Sequence, residues 1–157
     1  NAVSGGTIVA ALRFRSIPTA VKPIFSATIA SSSTLSRVSL YGNTGGTIAA
    51  TARRLDADTS TTINTAATMQ PCVIAFIVNY FDRTMKLRVD SIEKATSSAV
   101  ITAGVTEATD SMSVFACGRA DGVSSPLDLY ALAVVPRSLS LSDVINVENF
   151  FKQQAGF

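Results

Sequence analysis

The stretch CVIAFIVNYFDRTMKLRV, Cys72–Val89, decides how this chain folds. Cys72–Val78 is uninterrupted apolar sequence. A run this short suits a strand buried on both faces, or one in the middle of a packed sheet. Phe81-Asp82-Arg83-Thr84 then reads as a turn. Met85, Leu87 and Val89 return on one face, with Lys86 and Arg88 on the other. That alternation is the period of a strand. The stretch is a core hairpin, and Asp90-Ser91 makes the next turn.

Working outward, Thr7–Arg15 alternates as a half-buried strand, with Ile8, Ala10, Leu12 and Phe14 on its apolar face. Pro18 and Pro23 punctuate a loop, and strands are expected at Pro23–Ile29 and Arg37–Tyr41. Gly42-Asn43-Thr44-Gly45-Gly46 is a strong turn signal. Thr47–Leu55 and Thr59–Asn64 follow as strands. Beyond the hairpin, strands are expected at Ala99–Thr102, Ser111–Gly118 and Leu127–Val135. One segment reads as a helix. Ser140 is its N-cap, with Asp143 three residues on as a capping-box-like partner. Leu141, Val144, Val147 or Glu148, and Phe151 keep helical spacing, and Gly156 stops it. About ten short strands and one terminal helix predict a single β-sandwich domain over residues 1–157.

Composition agrees and narrows the function. The chain has 157 residues, 47% of them hydrophobic and only 15% charged, against about 25% charged in an average domain. No apolar run approaches the roughly 20 residues of a spanning helix, so membrane insertion is not expected. A net charge of +2 is too balanced to predict nucleic-acid binding. With no His, the commonest general base and His-ligated zinc are both excluded. Ser and Thr fill the polar positions, a surface common in extracellular β-domains. Cys72 and Cys117 are either two buried thiols or one disulfide between strands.

Three segments resemble the concanavalin A-like jelly roll, the laminin-G and pentraxin type of lectin and glucanase fold. They are Cys72–Val89, Ser111–Gly118 (SMSVFACG) and Leu127–Phe157. The last is similar to the closing strand and short helix of bacterial and phage members. Arg137, Leu139, Ser140, Asp143, Phe150, Phe151 and Gly156 fit that pattern. The resemblance implies an all-β sandwich of two antiparallel sheets with one short C-terminal helix. One departure is the turn Asp90-Ser91, where the family places Asn or Asp before Gly.

Glycosidases of this fold need a cluster of carboxylates at set separations. Only Glu93, Glu107 and Glu148 are present, and no Glu-x-Asp-x-x-Glu motif. No catalytic residue, metal ligand or cofactor site is therefore assigned, though Asp56, Asp58 and Thr59 are a partial set for calcium. Sugar recognition needs an aromatic platform and planar polar groups. The candidate carbohydrate-binding residues are Tyr41, Asn43, Arg54, Asp56, Asp58, Tyr80, Asp82, Arg119 and Asp121, which Arg53, Asn79 and Arg83 could join. The bland alternatives are strand-end tyrosines capping the core and solvated charges on turns.

The expected function is a non-catalytic, lectin-like module. The start at Asn1, without Met, suggests the C-terminal piece of a longer protein, such as a phage tail fibre, a tailspike or a cell-surface protein. The expected partner is cell-surface polysaccharide, and the expected location is extracellular or on a virion surface. The alternative is a structural domain that caps or trimerises its parent without binding sugar.

Overall fold

The computed structural model describes residues 4–29, 36–55, 58–98, 104, 112–118 and 125–157. In chain order the elements are β1 (Gly5–Phe14), β2 (Lys22–Ile29), β3 (Ser36–Asn43), β4 (Thr47–Ala52), β5 (Thr61–Ala66), β6 (Cys72–Asn79), β7 (Thr84–Val89), β8 (Ile92–Ser97), β9 (Met112–Ala116), β10 (Leu127–Val135) and α1 (Leu141–Ala155). They form two five-stranded sheets, ordered β10-β1-β6-β7-β8 and β5-β4-β3-β2-β9. Among the described residues, all the pairings are antiparallel. This is the all-β, two-sheet architecture expected from the sequence, with its one terminal helix.

The main core lies between the sheets. Ile8, Leu12, Ile74, Phe76 and Leu87 from the first sheet meet Ile24, Leu40, Ile48 and Ile63 from the second. The Cys72–Val78 run is buried on both faces because a second core lies behind it. There Val9, Ala11, Val73, Ala75 and Ile77 pack under Val144 and Phe151 of α1. The same helix corrects the reading of β1 as half-buried. Its second face, Thr7, Val9 and Ala11, is covered, and only Arg13 is exposed among the residues of β1.

Local chemistry sets the boundaries. Ser140 Oγ accepts a hydrogen bond from Asp143 N at 3.2 Å and donates to the Asp143 carboxylate at 2.7 Å, so the helix starts where its cap stands. Gly156, at φ 78°, ends it in a left-handed cap. β4 stops at Ala52, short of the expected Leu55. Asp58 Oδ2 accepts from Leu55 N at 3.1 Å, closing a turn there instead. A strand missing from the sequence reading, β8, follows directly on Asp90-Ser91. Ile92 and Glu93 face water at the sheet edge, so no buried apolar stripe advertises the strand. The expected strand at Ala99–Thr102 lies outside the described residues.

In β2, Pro23 opposes Tyr41 and Phe25 opposes Leu40, which leaves Ile24 as a bulge. Ile24 and Phe25 can therefore both enter the core although they are sequence neighbours. A second bulge leaves Tyr130 without a partner on β1, and its ring meets Phe157 edge-on at 5.8 Å. Cys72 and Cys117 are free thiols. Burial, aided by the charge of Asp90, pushes the Cys72 thiol up to about 12.

Candidate functional site

The helix commits the outer face of the first sheet to packing. Among the described residues, no helix packs against the outer face of the second sheet. Its composition follows from alternation. In β4, Ile48, Ala50 and Ala52 point into the core, so Ala49 and Thr51 point outward. Tyr41 is paired with Ala49, Ser39 with Thr51, Asn64 with Ala49 and Thr62 with Thr51. These side chains share the outer face with Ser26, the partner of Ser39.

A ladder of hydroxyl groups crosses three strands of this face. Tyr41 Oη lies 3.0 Å from Thr51 Oγ1, which lies 2.9 Å from Thr62 Oγ1. Tyr41 stands opposite Ala49 but bonds to Thr51, two residues farther along. Its ring must therefore lean over β4 and cover Ala49, which is fully buried. Tyr41 and Asn43 are half-buried, while Thr62 and Asn64 are exposed. Among the described residues, the result is a shelf of one half-buried aromatic ring, the exposed hydroxyl group of Thr62 and two carboxamides, without a carboxylate, while Ser26, Ser39 and Thr51 are buried in it. Such a surface can stack against an apolar ring face while donating to and accepting from hydroxyl groups.

The residues expected from sequence divide between the two ends of the sandwich. Tyr41 and Asn43 lie on the shelf. Thr47, the partner of Asn43, and Arg54 lie at opposite ends of β4, roughly 20 Å apart at about 3.3 Å per residue. Arg54 lies beside Gly104, and Asp58 is bound into the turn with Leu55. Tyr80 is corrected. It is 1% exposed, and its hydroxyl donates to the Arg53 carbonyl at 3.2 Å, so its ring belongs to the core and cannot stack on a sugar. Its neighbour Phe81 is the exposed aromatic of that turn, at 59%. Asp82 is exposed, and its carboxylate accepts from Asn79 Nδ2 at 2.6 Å. Asp56, Arg119 and Asp121 lie outside the described residues.

Sequence reasoning missed Thr51, Thr62 and Asn64. Their membership depends on pairing between strands, and Thr-rich strands carry no local mark of a site. It also missed a buried ion pair behind the first sheet. Arg88 Nε donates to Glu148 Oε1 at 3.0 Å and Nη2 to Oε2 at 3.2 Å, with the side chains 5% and 0% exposed. Among the described residues, no group of three or more His, Cys, Asp or Glu could hold a metal ion. No helix among them is long and apolar enough to cross a membrane.

No family model matches the sequence, and no curated protein matches it either. Solved structures do match in shape. The CBM40 module of the Ruminococcus gnavus IT-sialidase, solved with bound α2,3 sialyllactose, aligns at TM-score 0.72 and 21% identity, over 94% of this chain and 84% of that one. The heptameric SAP-like pentraxin of Limulus polyphemus aligns at TM-score 0.68 and 17% identity, over 94% and 70%. The receptor binding domain of botulinum neurotoxin mosaic serotype C/D aligns at TM-score 0.66 and 12% identity, over 94% and 37%. Shape and topology together make this chain a jelly-roll β-sandwich.

Proposed function

We propose that this chain is a non-catalytic carbohydrate-binding module, and that the outer face of β3, β4 and β5 is where it holds glycan. The observation that carries this reading is the shelf itself. Tyr41 heads a hydrogen-bonded row of hydroxyl groups that ends at the exposed Thr62, and Asn43 and Asn64 share the same face. A pyranose presents an apolar ring face and a rim of hydroxyl groups, which this shelf complements. The likeness to a module solved with sialyllactose supports the same ligand class. We place the module on a cell-surface protein or a phage tail fibre or tailspike, where it would recognise host surface glycan.

The test is a glycan array of bacterial polysaccharides and sialylated oligosaccharides, followed by calorimetry on the hits. Tyr41→Ala and Asn64→Ala are expected each to weaken binding by about tenfold, the effect of roughly 1.4 kcal/mol. The melting temperature of Asn64→Ala should stay near that of the parent, because Asn64 is exposed. Silence across the whole panel would sink the reading and leave the assembly role, in which this module caps or trimerises its parent.

A further inference from the structure

We propose that a cleft between the first turn of α1 and the β6–β7 hairpin is a second ligand site, taking one neutral sugar ring. The cleft lies behind the first sheet, away from the shelf, and measures about 200 Å³. That is smaller than the roughly 300–1,000 Å³ of drug-sized sites, room for a single ring rather than a chain. Its apolar lining is Ile77 and Val144, both buried, with Leu141 at its mouth. Leu141 is 55% exposed, so its side chain is open to a ligand from solvent. Asp82, Lys86 and Ser138 supply its polar side.

Three features point to a neutral polyol. First, the Asp82 carboxylate is held in place by Asn79, whose Nδ2 donates to it while Oδ1 accepts from the backbone of Phe81 and Asp82. A fixed carboxylate accepts hydrogen bonds from adjacent hydroxyl groups. Second, Lys86 donates to Glu93 at 3.0 Å, but both are exposed, so that surface pair exchanges readily with a ligand. Third, the helix start already carries Asp143 against its cap. With one carboxylate, Asp82, and one ammonium, Lys86, in its lining, the cleft favours neither an anion nor a cation. The ring face would lie on the aliphatic lining while its hydroxyl groups meet Asp82, Lys86 and Ser138.

The experiment is an NMR titration of the ¹⁵N-labelled protein with glucose, galactose and N-acetylglucosamine, and with glucuronate as the charged comparison. At least one neutral sugar should shift the amides of Asp82, Lys86 and Leu141 to saturation. The dissociation constant should be roughly millimolar, as befits a ligand of about a dozen heavy atoms. Leu141→Ala and Asp82→Asn, both at exposed positions, should each weaken it about fivefold. Tyr41→Ala should leave it unchanged. No saturable shift with any neutral sugar overturns the proposal. So does binding that survives both cleft substitutions, or tighter binding of glucuronate.

Discussion

At the scale of single residues, the Asp90-Ser91 turn holds the clearest energetic cost. Its two residues sit at φ 52° and 69°, where a side chain is unfavourable by roughly 1–2 kcal/mol. A two-residue hairpin of this type favours glycine at the second position. The Asp-Ser pair, standing where glycine is preferred, is therefore a real strain. It persists because the turn is pinned. Val73 N donates to Asp90 Oδ1 at 3.0 Å, and Arg88 Nη2 donates to the Ser91 carbonyl at 2.6 Å. The Ser91 hydroxyl is buried and finds no hydrogen-bond partner among the described residues. Ser91→Gly relieves both the backbone and the hydroxyl. It should raise stability by about 1 kcal/mol in urea titration, and a loss of stability would refute this account of the turn.

At the scale of elements, Arg88 and Glu148 fasten α1 to β7. Removing one partner strands a buried charge. Glu148→Ala should cost about 3–5 kcal/mol, read by denaturant unfolding. Replacing both, Arg88→Met with Glu148→Leu, should recover most of that loss. If the double variant is no better than the single one, the cost lies in packing rather than in the stranded charge. Edge strand β10 is tied down differently. Asp128 accepts from Arg15 Nε at 2.8 Å and from Arg13 Nη2 at 2.7 Å. These hydrogen bonds, Arg15's first and then Arg13's, hold its carboxyl below the usual carboxylate range. Its folded value is depressed, so its contribution is present above the unfolded value of about 3.9. That contribution fades as pH falls through the folded value. Asp128→Asn should flatten the acid limb of the stability curve and leave alkaline stability unchanged.

These elements also show where sequence reading works and where it stops. The β6–β7 hairpin and α1 were legible because their signals are local: an apolar run, a cap, a glycine stop. Glu148 was not, since a carboxylate on a helix reads as solvated until its cationic partner, 60 residues earlier, is placed beside it. β8 was not, because an exposed edge strand buries too little to leave a pattern. On the shelf, Tyr41 and Asn43 were legible as turn-adjacent polar residues. Thr51, Thr62 and Asn64 became visible only through strand register. Tyr80 misled because a strand-end tyrosine looks the same whether it points outward or inward.

At the scale of the whole molecule, the two sheets are unequal. The first is packed on both faces, between the second sheet and α1. Among the described residues, the second has no helix on its outer face, which is buried at Ser26, Ser39 and Thr51 and exposed at Thr62 and Asn64. Thr62 and Asn64 on that outer face are exposed, and their loss disturbs no core contact. The consequence reaches the history of the protein as well as its physics. Substitutions at Thr62 and Asn64 on β5 can accumulate at little cost in core packing, whereas those on β6 are screened by two cores at once. A lineage carrying this domain can therefore vary quickly on one side while its other side stays nearly frozen. The helix laid across the back leaves that freedom to the other side, and a saturation library over Thr62 and Asn64 would display it as variants that keep the parent's melting temperature.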